Sequence, residues 1–99
     1  FVIEQALGWL AARGRRADAT YFRTHDGWEI DLVLDLDGVR WAIEVKLTAS
    51  PGSDDLARLE RAADLIRADR RVLVSRTSRP AGNGASISTN LPGLLALLA

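Results

Sequence analysis

The sequence contains no cysteine, one histidine and one lysine. Without cysteine there is neither a disulfide framework nor a thiolate zinc site, which fits a reducing compartment. A metal ion would have to sit on oxygen or on the lone His25. No apolar run approaches the roughly 18 residues that a membrane span needs, and the first residues lack the basic-then-apolar pattern of a secretory signal. The expectation is a cytoplasmic protein with no membrane partner. The formal net charge is zero, so the field of the whole molecule gives no argument for nucleic acid.

What is present describes one soluble domain over residues 1–99: 47% hydrophobic residues, enough for one modest core. Because the chain opens at Phe1 in a segment that already reads as a helix, it is expected to be a piece of a longer polypeptide. Charge is unevenly spread: Asp26, Glu29, Asp31, Asp35 and Asp37 form an acidic stretch free of bases, whereas five arginines between Arg67 and Arg79 face Asp69 alone. Solvated faces and helix-end charges are the plain account of such runs.

Periodicity gives a first helix over residues 1–13 with Gly14 as its stop, a strand at 20–25, and two strands at 28–36 and 39–47 joined by Asp37-Gly38, a type I′ hairpin turn. Ser53 is expected to cap a second helix whose Leu56, Leu59, Ala63 and Ile66 share one face. A short parallel strand at 72–75 follows. Next come a loop over RTSRPAGNG, an edge strand at ISTN and a C-terminal helix at LPGLLALLA. The order α-β-β-β-α-β predicts an α/β domain on a mixed sheet.

If Asp37 and Gly38 are the two loop residues, Leu36 faces Val39 and the register follows. Leu34 then faces Trp41, Leu32 faces Ile43 and Ile30 faces Val45, an apolar face throughout. The other face holds Asp35 with Arg40, Val33 with Ala42, Asp31 with Glu44, and Glu29 with Lys46. Two carboxylates directly opposed on neighbouring strands repel. A divalent cation would offset that repulsion, and hard oxygen donors favour Mg²⁺ or Mn²⁺. Twelve of the thirteen basic residues are arginine, and the one lysine stands two positions after Glu44. An ammonium is a compact charge suited to orienting a water beside a phosphate, whereas a guanidinium binds as a planar fork. A salt bridge from Lys46 to Glu29 or Glu44 is the plain alternative.

An acidic strand residue followed across a short hairpin by E-V-K, after a helix bearing a Glu, resembles the PD-(D/E)XK nuclease superfamily, to which restriction endonucleases and archaeal Holliday-junction resolvases belong. The stretch YFRTHDGWEIDLVLDLDGVRWAIEVKLTASPGSDDLARL is more closely similar to the uncharacterised domain at the C-terminus of a family of prokaryotic AAA+ P-loop ATPases. There an aromatic-Arg-Thr strand, an acidic-apolar-Asp strand, an E-V-K strand and a Ser/Pro-rich loop before a helix recur in order. The likeness runs from FVIEQAL through LPGLLALL. Ile30 stands where the superfamily's name has proline, and the chain has no G-x-x-x-x-G-K-S/T, which puts any ATPase part upstream.

The resemblance implies a restriction-endonuclease-like αβββαβ core. It makes Asp31 and Glu44 metal ligands, with the Val45 carbonyl and Glu4 as further oxygens, and gives Lys46 the attacking water. Arg23, Arg13, Arg15 and Arg16 are the candidate contacts to a nucleic-acid backbone. The simple hairpin at Asp26-Gly27 would set Phe22 beside Asp31; a one-residue bulge returns Arg23 to the polar face and Phe22 to the core. His25 reads as a solvated turn residue. Two functions stand open: a Mg²⁺- or Mn²⁺-dependent nuclease module acting on DNA, with no organic cofactor, or a catalytically silent docking and regulatory domain of the ATPase. Both are compatible with an oligomer.

Overall fold

The computed structural model describes residues 1–99, the side chain of residue 83 apart. Three helices flank one six-stranded mixed sheet: α1 (Val2–Ala12), β1 (Ala17–Arg23), β2 (Glu29–Leu36), β3 (Val39–Val45), α2 (Ser53–Leu65), β4 (Arg70–Val74), β5 (Ala81–Asn83), β6 (Ser86–Thr89) and α3 (Leu91–Leu98). The strand order is β1-β2-β3-β4-β6-β5. β1, β2 and β3 are antiparallel neighbours; β3, β4 and β6 run parallel; β5 returns antiparallel to β6. The expected α/β class and mixed sheet are therefore present, and no helix is long and apolar enough to cross a membrane.

The sheet is buried on both faces. On one, Ala6 and Leu10 of α1 and Leu94 and Leu98 of α3 pack on Leu32, Leu34, Leu36, Trp41, Ile43, Val72 and Val74. On the other, Leu59, Ala62 and Ala63 of α2 cover Ile30, Val33, Ala42 and Leu73. Leu34 and Ile43 are fully buried, and each such side chain contributes about 1.5–3 kcal/mol relative to an exposed position. Small Ala62 and Ala63 on α2 let the helix lie close to β2 and β3, which brings the start of α2 against the end of β3.

The β2–β3 turn is as the sequence predicts. Asp37 and Gly38 have φ of 53° and 79°, the positive pair a type I′ turn needs, and Leu36↔Val39, Asp35↔Arg40, Leu34↔Trp41, Val33↔Ala42 and Leu32↔Ile43 face one another. Arg15 holds this end of the hairpin, donating to Asp37 at 2.6 Å and to the Leu98 carbonyl at 2.8 Å.

Several boundaries differ from expectation. β1 begins at Ala17 rather than residue 20, because pairing with Leu36 and Asp35 extends a segment of low strand propensity. Ser53 opens α2 instead of capping it; Gly52 is the cap residue, and Asp55 accepts from the Gly52 N–H at 3.0 Å. The helix stops at Leu65, followed by Arg67 at φ 53°. β6 is not an edge strand, since β5, drawn from the expected loop, covers its outer side.

Candidate functional site

Beyond Leu32 and Ile43 the hairpin stops pairing as a ladder. The cause lies on the other side of β2: from Thr20↔Val33 to Phe22↔Ile30, β1 advances two residues and β2 three. The extra residue is a bulge in β2 at Asp31–Leu32, and it turns Ile30 from the α1/α3 face to the α2 face beside Val33. The expected couples Ile30–Val45 and Glu29–Lys46 are thereby lost. A one-residue bulge is present, as expected, but it does not place the side chains as expected: Phe22 packs on the α2-side core with Val33 and Ala42, the face expected to be polar, and Arg23, facing Glu29, is exposed. Bulges recur beside active sites because they re-aim a side chain.

In the gap so opened, carboxylates replace the backbone ladder. The Val45 N–H donates to Asp31 Oδ2 at 2.9 Å, and the Asp31 N–H donates to Glu44 Oε1 at 3.2 Å. The two side chains the register set opposite each other thus meet as a fork between the strands. Burial, and then the hydrogen bond and negative charge of Asp31, push the Glu44 carboxyl up to about 8, while Lys46 pulls it down. Without a cation, the Glu44 carboxyl is therefore favoured in its protonated form near neutral pH.

Glu44 and Lys46 line one cleft of about 130 Å³ with Trp28, Glu29, Asp55, Arg58 and Leu59. Asp31 lines an adjoining cleft of about 320 Å³ with Tyr21, Phe22, Arg23, Glu29 and Ile30. Glu29 belongs to both, and the fork lies between them. A larger groove, about 820 Å³, follows residues 20–26 along the outer edge of β1 and holds neither carboxylate of the fork; it is the open sheet edge. Lys46 pairs with neither Glu29 nor Glu44. Its ammonium lies 3.7 Å from Asp55 Oδ1, and its N–H continues the parallel ladder to the Val74 carbonyl at 2.8 Å.

The remaining candidates spread out. Glu4 is on the surface, paired at 3.5 Å with the Phe1 amino group, its side chain 84% exposed. Val45 joins the fork through its N–H. Arg23 pairs with Glu29 at 3.5 Å, close to the fork. Arg13 stacks on Trp9 at 3.5 Å, Arg15 is engaged in the ties to Asp37 and Leu98, and Arg16 is exposed. Asp37 and Asp31 are six residues apart along the hairpin, about 20 Å of strand, so Arg15 and the fork serve opposite ends. His25 is exposed beside the turn, as expected. Asp55, Trp28 and Arg58 were not foreseen. Their only sequence signals were an acid in the first turn of α2 and an aromatic after Asp26-Gly27.

A Mg²⁺-type ion fits this donor set. Among the described residues no group of three His, Cys, Asp or Glu side chains surrounds one point, which argues against an all-protein cage. Mg²⁺ instead keeps several waters and needs one or two carboxylates, and the fork offers two, one holding a proton that a cation would displace.

That proton sets a pH dependence. Glu44 is raised above its ordinary carboxylate range, so between about 4.3 and 8 the folded state binds more protons than the unfolded chain. Stability without divalent cations should fall as pH rises through that window and level off above it. Urea midpoints from pH 4.5 to 9 test this, and Glu44→Gln should flatten the profile; an equal slope in wild type and variant would contradict it.

Comparison with known proteins gives one family. No curated protein and no solved structure matches the chain. The family model described as Domain of unknown function (DUF4143) matches residues 1–92, which takes in α1, the carboxylate fork, α2, the whole sheet and the start of α3. The chain belongs to the DUF4143 family.

Proposed function

We propose that this chain is a nuclease-like module in which Asp31 and Glu44 hold Mg²⁺ or Mn²⁺ and Lys46 orients a water for hydrolysis of a DNA phosphodiester. The observation that carries the proposal is the fork: two carboxylates set at the gap where a bulge opens the ladder, with the only lysine in the same cleft as one of them. The element order from α1 to β4 supports a restriction-endonuclease-like core, and the E-V-K resemblance supports an ATPase domain of the same polypeptide as partner.

When bound, a divalent cation supplies a hydroxide-like nucleophile near neutral pH and neutralises charge on the phosphorane. The residues of the chain do the rest. Asp31 and Glu44 fix the ion at the strand gap. Lys46, its stem anchored by the backbone bond to β4, reaches over the cleft and holds the attacking water by hydrogen bonding. The water oxygen bonds to phosphorus as it gives up one proton to solvent, one ester P–O bond breaks, and the leaving oxygen takes a proton from solvent.

The Lys46–Asp55 pair and the zero net charge favour a second reading, a silent docking or regulatory domain. One assay separates the two. Plasmid, branched and single-stranded DNA are incubated with the protein in Mg²⁺, in Mn²⁺ and in chelator. The nuclease reading expects cation-dependent products; intact DNA in all three, with DNA or ATPase binding retained, selects the silent one.

A further inference from the structure

We infer that Arg58 is the residue that grips a substrate phosphate at this site, a positioning role that rests on the nuclease reading above. The rim of the cleft is acidic: Glu29, Glu44 and Asp55 line it and Asp31 adjoins it. An anionic phosphodiester approaching that rim needs a cation whose charge is not already matched. Lys46 is matched by Asp55 and Arg23 by Glu29. Among the described residues, Arg58 lines the cleft and forms no ion pair.

This is not for want of partners. Asp54 and Asp55 stand four and three residues before Arg58 on α2, the spacings at which helical side chains pair. Arg58 instead crosses to the β1–β2 connection. Its guanidinium lies 5.1 Å from the Trp28 ring centroid and donates to the Gly27 carbonyl at 3.3 Å. Trp28 is half-buried and packs on the α2-side core, so the surface under the guanidinium is fixed. Stacking on an indole holds an arginine's plane in place, and one hydrogen bond leaves the other N–H groups for a ligand. An exposed guanidinium presented this way suits the bidentate geometry of a phosphate, and part of its ordering cost is met before the ligand arrives.

The test is fluorescence anisotropy of labelled DNA oligonucleotides, single-stranded and duplex, in Ca²⁺ over a series of salt concentrations. Wild type, Arg58→Ala and Arg58→Lys are compared, with Mn²⁺-dependent melting as a parallel readout. Arg58→Ala should weaken binding about 10-fold and lower the slope of log affinity against log salt by about one. Its Mn²⁺ melting shift should stay as in wild type, since Arg58 is not a ligand of the ion. Arg58→Lys should keep the slope and regain only part of the affinity, because the charge remains and the fork is lost. Wild-type affinity and slope in Arg58→Ala would overturn this role and leave the carboxylate site standing. A wild-type protein that shows a Mn²⁺ shift but binds no DNA also overturns it, and one that shows neither overturns the nuclease reading as well.

Discussion

Asp31→Ala should lower cation-dependent DNA cleavage by at least about 100-fold. Removing a group that merely orients a metal ligand costs roughly 10–100-fold in affinity or activity, and Asp31 is one of the two carboxylates at the fork itself. The same substitution also removes the acceptor of the Val45 N–H, so a loss of fold must be distinguished from a loss of charge. Asp31→Asn does this: its amide oxygen still accepts from Val45 while the negative charge is gone. Cleavage by both variants, measured on the best wild-type substrate, should fall together, with the melting temperature of Asp31→Asn in chelator near that of wild type at neutral pH because the bond from Val45 is kept, and above it past pH 8, where Glu44 is ionised and the repulsion across the gap is relieved. Cleavage within a few-fold of wild type in Asp31→Asn would remove Asp31 from the metal site.

Lys46→Ala should reduce the turnover rate by about 10²–10⁴-fold, the range for a positioned group that works on a reacting water, and leave the Mn²⁺-induced melting shift in place. Lys46→Arg should not restore the rate. A guanidinium would satisfy Asp55 across the cleft, but its planar fork does not reproduce the compact ammonium. The ion pair at 3.7 Å contributes little to stability, since pairs this exposed are worth about 0–1 kcal/mol. A variant that unfolds would contradict that part of the account, and single-turnover rates equal to wild type would contradict the role of Lys46.

The hairpin was legible because its constraints are local. A two-residue turn fixes the facing couples, and the apolar couples Leu36–Val39, Leu34–Trp41 and Leu32–Ile43 that it creates on one face support the same register. Legibility ended where a residue was inserted. Ile30 and Leu32 are both apolar, and nothing in their identity says that they lie on opposite faces; the bulge that separates them is imposed by β1, through the Phe22↔Ile30 and Thr20↔Val33 couples. The opposition of Asp31 and Glu44 survived this because both face the gap where the ladder opens.

Glu4 and Asp55 show the other limit. Each is an acid in the first turn of a helix, indistinguishable by local pattern. Only the packing of Ala62 and Ala63 against the sheet brings Asp55 to Lys46, whereas the start of α1 leaves Glu4 in solvent beside Phe1. β5 and β6 were misjudged for a related reason. A three-residue strand of Ala, Gly and Asn has little propensity of its own and exists because β6 offers an edge.

In the proposed site, Asp31 and Glu44 together hold one divalent ion. Thermal melting of the wild-type protein in increasing Mn²⁺, at a pH above 8 where Glu44 has released its proton, measures this most directly. A native-state ligand stabilises by about 2.7 kcal/mol at 100 times its dissociation constant, so the midpoint should climb with Mn²⁺ in wild type and stay level in Asp31→Asn. A wild-type midpoint that does not move with Mn²⁺, or that moves equally in Asp31→Asn, would contradict it.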